Sequence, residues 1–138
     1  MSSAKFPAIV LDTNVFISAA ILPNSTSAKA LLVALETFEV NLSESTWIEL
    51  LQVIGRPKLN RYIDDEGRHE FLQRIVRSSQ FIETKSNITD CTDPKDNKFL
   101  ELAVDACASI IVSGDMHLRS MSPFRGITIY TPGEFLGR

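Results

Sequence analysis

The chain has 138 residues, 44% of them hydrophobic and 22% charged, and a formal net charge of -3. This size and balance predict one globular domain over residues 1–138 and leave little for a second. The charge excludes a protein that grips nucleic acid through a broad basic surface, because that mode needs many Lys and Arg contacts to phosphates.

In chain order, the opening MSSAKFP lacks the apolar segment of a secretory signal. No apolar run approaches the roughly 18 residues that span a bilayer, so a cytoplasmic protein without a membrane partner is expected. Pro7 to Asp12 (PAIVLD) is an apolar run of strand length, and Asn14 to Ile21 reads as a short helix ended by Pro23-Asn24. Ser27 can cap a helix whose apolar positions Leu31, Leu32, Leu35 and Phe38 recur at helical spacing. Glu39 to Leu42 reads as a strand, and Ser45 begins a helix to about Ile54, stopped by Gly55 and Pro57. Asp64 to Ser78 is predicted as a longer helix with Phe71, Leu72, Ile75 and Val76 inward, followed by a strand over Gln80 to Glu83 and a polar loop over 84–92. Asp93-Pro94 opens a helix to about Ala106, since Asp is a favoured cap and Pro suits a first helical position. Ser109 to Ser113 and Gly126 to Tyr130 complete the strands. Cys91 and Cys107 have no CxxC spacing and no paired histidines, which predicts reduced thiols with Cys107 packed in a helix.

Strands separated by helices imply right-handed crossovers and a parallel sheet covered on both faces, with functional residues at the carboxyl ends of strands. Asp12 follows the first strand directly, and Asp115 follows the fourth by one glycine, so both fall at the same edge. The plain alternative is that each caps the helix or turn that follows. Asp96 lies near the inward stripe Phe99, Leu102, Ala103 and Ala106, whereas Asn97 and Glu101 point away; Asp93 is better explained as the cap. A third-position acid also complements a helix dipole, which is the structural alternative for Asp96. Glu49 sits in a helix where Trp47, Ile48, Leu50, Leu51, Val53 and Ile54 leave little polar face, so it is either partly buried with a partner or solvated opposite the Trp47, Leu50, Leu51, Ile54 stripe.

Four carboxylates converging at about 5 Å in an effective dielectric near 20 would repel by roughly 3 kcal/mol per ionised pair and about 20 kcal/mol as a set. Such a cluster needs a cation or protonation, and the sequence charge then understates the potential seen by a phosphate. All-oxygen donors without a Cys or His set favour Mg²⁺ or Mn²⁺ over Zn²⁺.

The strings VLDTNVFISA (Val10 to Ala19), STWIELLQVIGRPKL (Ser45 to Leu59), DPKDNKFLELAV (Asp93 to Val104) and IIVSGDMHL (Ile110 to Leu118) resemble the four ordered motifs of the PIN-domain nucleases. Their order covers nearly the whole chain, and the similar subgroup contains toxin components of toxin-antitoxin pairs. The resemblance implies a three-layer α/β/α sandwich with a central, mostly parallel sheet of about five strands. It implies Asp12, Glu49, Asp96 and Asp115 as acidic catalytic and metal ligands, with Asp93 the alternative to Asp96 in DPKD, and Thr13, Asn14 and Ser113 in support. It implies a Mg²⁺- or Mn²⁺-dependent endoribonuclease acting on single-stranded RNA, restrained by an antitoxin and often homodimeric.

Arg56, Lys58 and Arg61 form a small basic cluster that can guide a nucleic-acid backbone or simply face solvent. His117 lies two residues past Asp115 and reads as a surface or locally bonded side chain, His69 carries no functional signal, and Phe124 and Tyr130 read as core before base-stacking groups. A non-catalytic RNA- or antitoxin-binding module of the same fold is the alternative, but a pure binding surface gains nothing from acids facing a polyanion. A phosphatase with a strand-end aspartate nucleophile ranks last, because the general-acid position two residues on is Asn14.

Overall fold

A computed structural model describes residues 6–138. Five strands, β1 (Ala8–Leu11), β2 (Glu39–Leu42), β3 (Ser79–Phe81), β4 (Ile110–Val112) and β5 (Thr128–Tyr130), form one sheet in the order β3-β2-β1-β4-β5, and every neighbouring pair is parallel. The register sets Ile9 beside Val40 and Ile110, and Leu11 beside Val112. Side chains alternate between faces along a strand. Ile9, Leu11 and Val40 accordingly enter one core cluster, and Val10, Ile111 and Ile129 enter the other.

The first cluster is completed by α1 (Thr13–Ile21), α2 (Thr26–Thr37), α3 (Glu44–Ile54), α4 (Asp65–Ser78) and α7 (Pro132–Gly137). The second is covered by α5 (Asn97–Asp105) and α6 (Met116–Arg119), with Ile88 and Cys91 from the preceding loop. This is the three-layer α/β/α arrangement with a parallel sheet that the sequence pattern implies. The chain lays β1, β2 and β3 outward in one direction, then crosses back to place β4 on the other side of β1. The order reverses between β1 and β4, so a crevice is expected outside the carboxyl ends of those two strands. No single described helix is long and apolar enough to cross a membrane.

Local differences from the sequence reading have identifiable causes. The second helix is capped by Ser25, whose hydroxyl accepts from Ala28 N–H, two residues before the Ser27 cap expected from sequence. Ser43 caps α3 in a reciprocal box with Thr46, where Ser45 was expected to open the helix. Leu32, Ile48, Leu51 and Val76 are exposed although helical spacing put three of them on inward stripes, because each helix touches the core along a narrower strip than its apolar residues mark out.

Pro94–Asp96 forms a 3-10 turn and α5 begins only at Asn97, so the helix opened by Asp93-Pro94 is split in two. Asn97 does not point away: it is buried, and its side-chain oxygen accepts from Cys91 N–H at 2.9 Å. Cys107 is exposed and lies outside the helix in a left-handed conformation (φ 56°). Its N–H reaches Val104 O and Ala108 N–H reaches Ala103 O, the paired bonds that close a helix C-terminus.

Candidate functional site

The crevice exists at the place topology assigns to it. Asp12 follows β1, and its backbone N–H continues the ladder by bonding Val112 O at 3.0 Å. Ser113 follows β4 in the same way, donating its N–H to Tyr130 O. Asp12 then caps α1 with Oδ1, and Asp115 caps α6 with Oδ1 accepting from His117 and Leu118 N–H. For both residues the capping role and a place at the crevice coexist, because a carboxylate has two oxygens.

A cleft of about 280 Å³ is lined by Asp12, Glu49, Asp96 and Asp115 together with Thr13 and Asn14, and by Gln52, Arg56 and Lys95 around its rim. The four acids come from four separate elements: the end of β1, the middle of α3, the turn before α5 and the start of α6. Asp93 stays outside the cleft, where its carboxylate accepts from Lys95 N–H and sits 3.7 Å from the Lys95 ammonium. Lys58 and Arg61 also stay outside and are exposed; of the basic cluster only Arg56 reaches the rim. His117 and His69 do not line the cleft, Phe124 is core, and Tyr130 packs against the first cluster.

Supporting groups hold three of the acids. The Ser113 hydroxyl, fully buried, donates to Asp12 Oδ2 and accepts from Asp115 N–H at 2.9 Å, so one side chain ties the two strand ends together. Thr13 Oγ1 donates to Glu49 Oε2 at 2.5 Å, and Lys98 Nζ lies 2.6 Å from Glu49 Oε1. Asp96 differs from the others. It is 7% exposed, occupies the N-cap position of α5 without making a capping bond, and its Oδ2 is buried with no hydrogen-bond partner.

Electrostatics follow from this packing. Burial pushes the Asp96 pKa up to about 6, and the negative charges of Asp115, Asp93 and Asp12 push in the same direction. Burial also raises Asp12, opposed by hydrogen bonds from Ser113, Val15 and Asn14 and reinforced by Asp115. The buried Cys91 thiol is raised mainly by desolvation, with Asp96 and Asp115 adding to it.

Carboxylates at about 5 Å were expected, but among the described residues no three Asp, Glu, His or Cys side chains stand close enough to grip one ion. The acids share an open cleft instead of a closed cage, as like charges in a poorly screened space must, and three of the four already have hydrogen-bond partners of their own. The donor set nonetheless suits a hard divalent cation. It is all oxygen, it carries more negative charge than its surroundings neutralise, and the orphaned Asp96 Oδ2 lacks a positive or donor partner that burial demands. A second cleft, between α2 and α4, is lined by Leu31, Leu35, Phe71 and Ile75 with Arg74 its one charged group, and offers no comparable chemistry.

Sequence reasoning missed Lys95, Gln52 and Lys98. Lys95 was within reach, because it stands one residue before Asp96. Lys98 was not, since its partner is 49 residues away.

A parallel α/β/α sheet with an acidic cleft at its switch point is the frame of a strand-end hydrolase or nuclease. Residues 8–117 match the family described as PIN domain, and the chain belongs to that family, whose members are generally nucleases. An uncharacterized protein of Methanocaldococcus jannaschii is 37% identical over 118 residues, 82% of this chain and 74% of that one. Two solved structures share the fold. VapBC2 from Rickettsia felis, solved bound to a DNA fragment from its promoter, matches with a TM-score of 0.59 at 11% identity, covering 90% of this chain and 98% of that one. PAE2754 from Pyrobaculum aerophilum matches with a TM-score of 0.55 at 12% identity, covering 99% of this chain and 92% of that one.

Proposed function

We propose that the chain is a Mg²⁺- or Mn²⁺-dependent endoribonuclease that hydrolyses phosphodiester bonds of single-stranded RNA. The observation that carries this reading is the convergence of Asp12, Glu49, Asp96 and Asp115, from four elements, on one cleft with an unsatisfied buried carboxylate oxygen. A site evolved only to bind a polyanion has no use for that arrangement. Asp12, Asp96 and Asp115 would hold the cation, with Glu49 completing the set and Asp93 acting only through its charge.

Bound there, one or two divalent ions supply a water of lowered pKa and charge to meet the phosphoryl oxygens. The chain's own groups do the rest. Arg56 and Lys95 at the rim attract the backbone phosphates, and Asn14 and Gln52 offer neutral donors to the strand. Ser113 and Thr13 hold Asp12 and Glu49 in orientation. The cleft has no exposed aromatic platform, Phe99 being buried, which favours recognition of backbone over base.

The fold likeness to the VapBC2 complex supports a further step, that the protein is the toxin of a cytoplasmic toxin-antitoxin pair with a separate antitoxin polypeptide and a second copy of itself as partners. The deciding experiment incubates purified protein with end-labelled single-stranded RNA and DNA in Mn²⁺, Mg²⁺ or chelator, beside Asp12→Asn. Cleavage of RNA that needs metal and falls at least about a hundredfold in the variant is expected. Full activity in Asp12→Asn, or no cleavage with either metal, discards the assignment.

A further inference from the structure

Among the described residues, the one ion pair made by any of the four cleft acids is Lys98 with Glu49. Its geometry is tight, 2.6 Å between Nζ and Oε1, and both side chains are mostly shielded, 20% and 25% exposed. Lys98 Nζ also donates to Lys95 O at 2.6 Å, which fixes the ammonium at the start of α5. With Thr13 on Oε2, both oxygens of Glu49 are engaged, while buried Asp96 Oδ2 across the same cleft has nothing. The pair joins α3 to α5 and so bridges the two helical layers beside the cleft that Glu49 lines.

An ammonium bonded to a carboxylate oxygen and a divalent cation bonded to that same oxygen compete, by crowding and by like charge. Resting on the metal-dependent reading above, we propose that Lys98 is a resident counter-cation: it neutralises Glu49 in the metal-free protein and is displaced from Oε1 when a divalent ion binds. Lys98 is thus a positioning residue that sets how tightly the cleft takes metal. The metal-free chain keeps its acids compatible with folding, and metal occupancy becomes an exchange of one cation for another, not a simple addition.

The test titrates MnCl₂ into wild type, Lys98→Met, Lys98→Arg and Asp12→Asn by calorimetry, without substrate, and records the melting temperature of each metal-free protein. Lys98→Met should melt lower without metal yet bind Mn²⁺ on the order of tenfold tighter, the scale of one charge-assisted hydrogen bond removed. Lys98→Arg, which keeps the charge, should stay near wild type in affinity, and Lys98→Gln serves as the neutral variant if methionine does not fold. A lower melting temperature with unchanged or weaker Mn²⁺ affinity means that the pair is only structural, and overturns the inference while wild-type binding leaves the nuclease reading intact. Absence of Mn²⁺ binding in wild type and neutral variant alike overturns both.

Discussion

The Ser113 hydroxyl sits where two strand ends meet, donating to one acid and accepting from the backbone of another. Asp12 is almost wholly buried, and this donor opposes the desolvation that raises its pKa. Ser113→Ala should therefore destabilise the protein by about 1.5–3 kcal/mol where Asp12 is ionised, the usual cost of losing a hydrogen bond to a charged group. The bond favours the ionised carboxyl, so the loss is largest where Asp12 is charged and shrinks as acid protonates it. Urea denaturation at two pH values reads this; a pH-independent loss would assign the effect to packing alone. Cys107 makes a separate case. Its left-handed backbone suits glycine and strains a residue with a Cβ. Cys107→Gly should stabilise by about 0.5–1 kcal/mol, after allowing for the greater freedom glycine gains in the unfolded chain. No such gain in thermal denaturation would mean that the side chain makes contacts outweighing the strain. Nothing in the local string announces this position, because a left-handed cap is usually marked by Gly or Asn and here the cysteine hides it.

At the scale of elements, α5 presents Asn97, Glu101 and Asp105 at intervals of four, one above another on a single face. They receive the backbone of the preceding loop in order: Cys91 N–H on Asn97, Ile88 N–H on Glu101, and Lys85 and Ser86 N–H on Asp105. Hydrogen bonds from Ser86, side chain then backbone, hold the Asp105 carboxyl below its ordinary pKa. Asp105→Ala should cost about 1–2 kcal/mol and speed amide exchange at Lys85 and Ser86 while leaving β1 and β4 protected. Equal acceleration in the strands would mean global unfolding instead of a released loop. From sequence Asn97 and Glu101 read only as pointing away from the inward stripe, and only the path of residues 84–92 shows what they and Asp105 hold. The strands were legible because buried apolar runs such as IVL and IIV have few alternatives. The six-residue α7 was missed although Thr131 and Glu134 form the reciprocal capping pair that starts it, and the four-residue α6 is too short to show any period. For the cleft, Asp12 and Asp115 were legible from the strands they follow and Asp96 from a nearby inward stripe, yet each had a plain capping or dipole reading and only the four motifs in order singled out the set. The partners of these acids are set by tertiary packing and left no local trace.

For the molecule as a whole, the cleft makes stability depend on pH and metal in opposite senses. Asp96 ionises near pH 3.8 when unfolded and near 6 when folded, so between those values the native state holds a proton that the unfolded chain has released. Native proton excess makes stability fall as pH rises through that window: the penalty is absent below about pH 4 and complete above about pH 6. At about 1.4 kcal/mol per pKa unit, the penalty reaches about 2–3 kcal/mol at most. Asp96→Asn removes the titrating group, so the metal-free variant should gain on wild type as pH rises from 4 to 7 and level off beyond. A divalent ion needs the ionised carboxylate, so its stabilising effect must grow over the same interval, as metal and proton compete for one oxygen. Melting curves of wild type at pH 5, 6, 7 and 8 with and without Mn²⁺ should then show a shift that is small at pH 5 and rises through pH 6 to a plateau. In Asp96→Asn the shift should be weak at every pH. A wild-type shift independent of pH would place the cation away from Asp96, and the buried carboxylate would then be relieved by its proton alone.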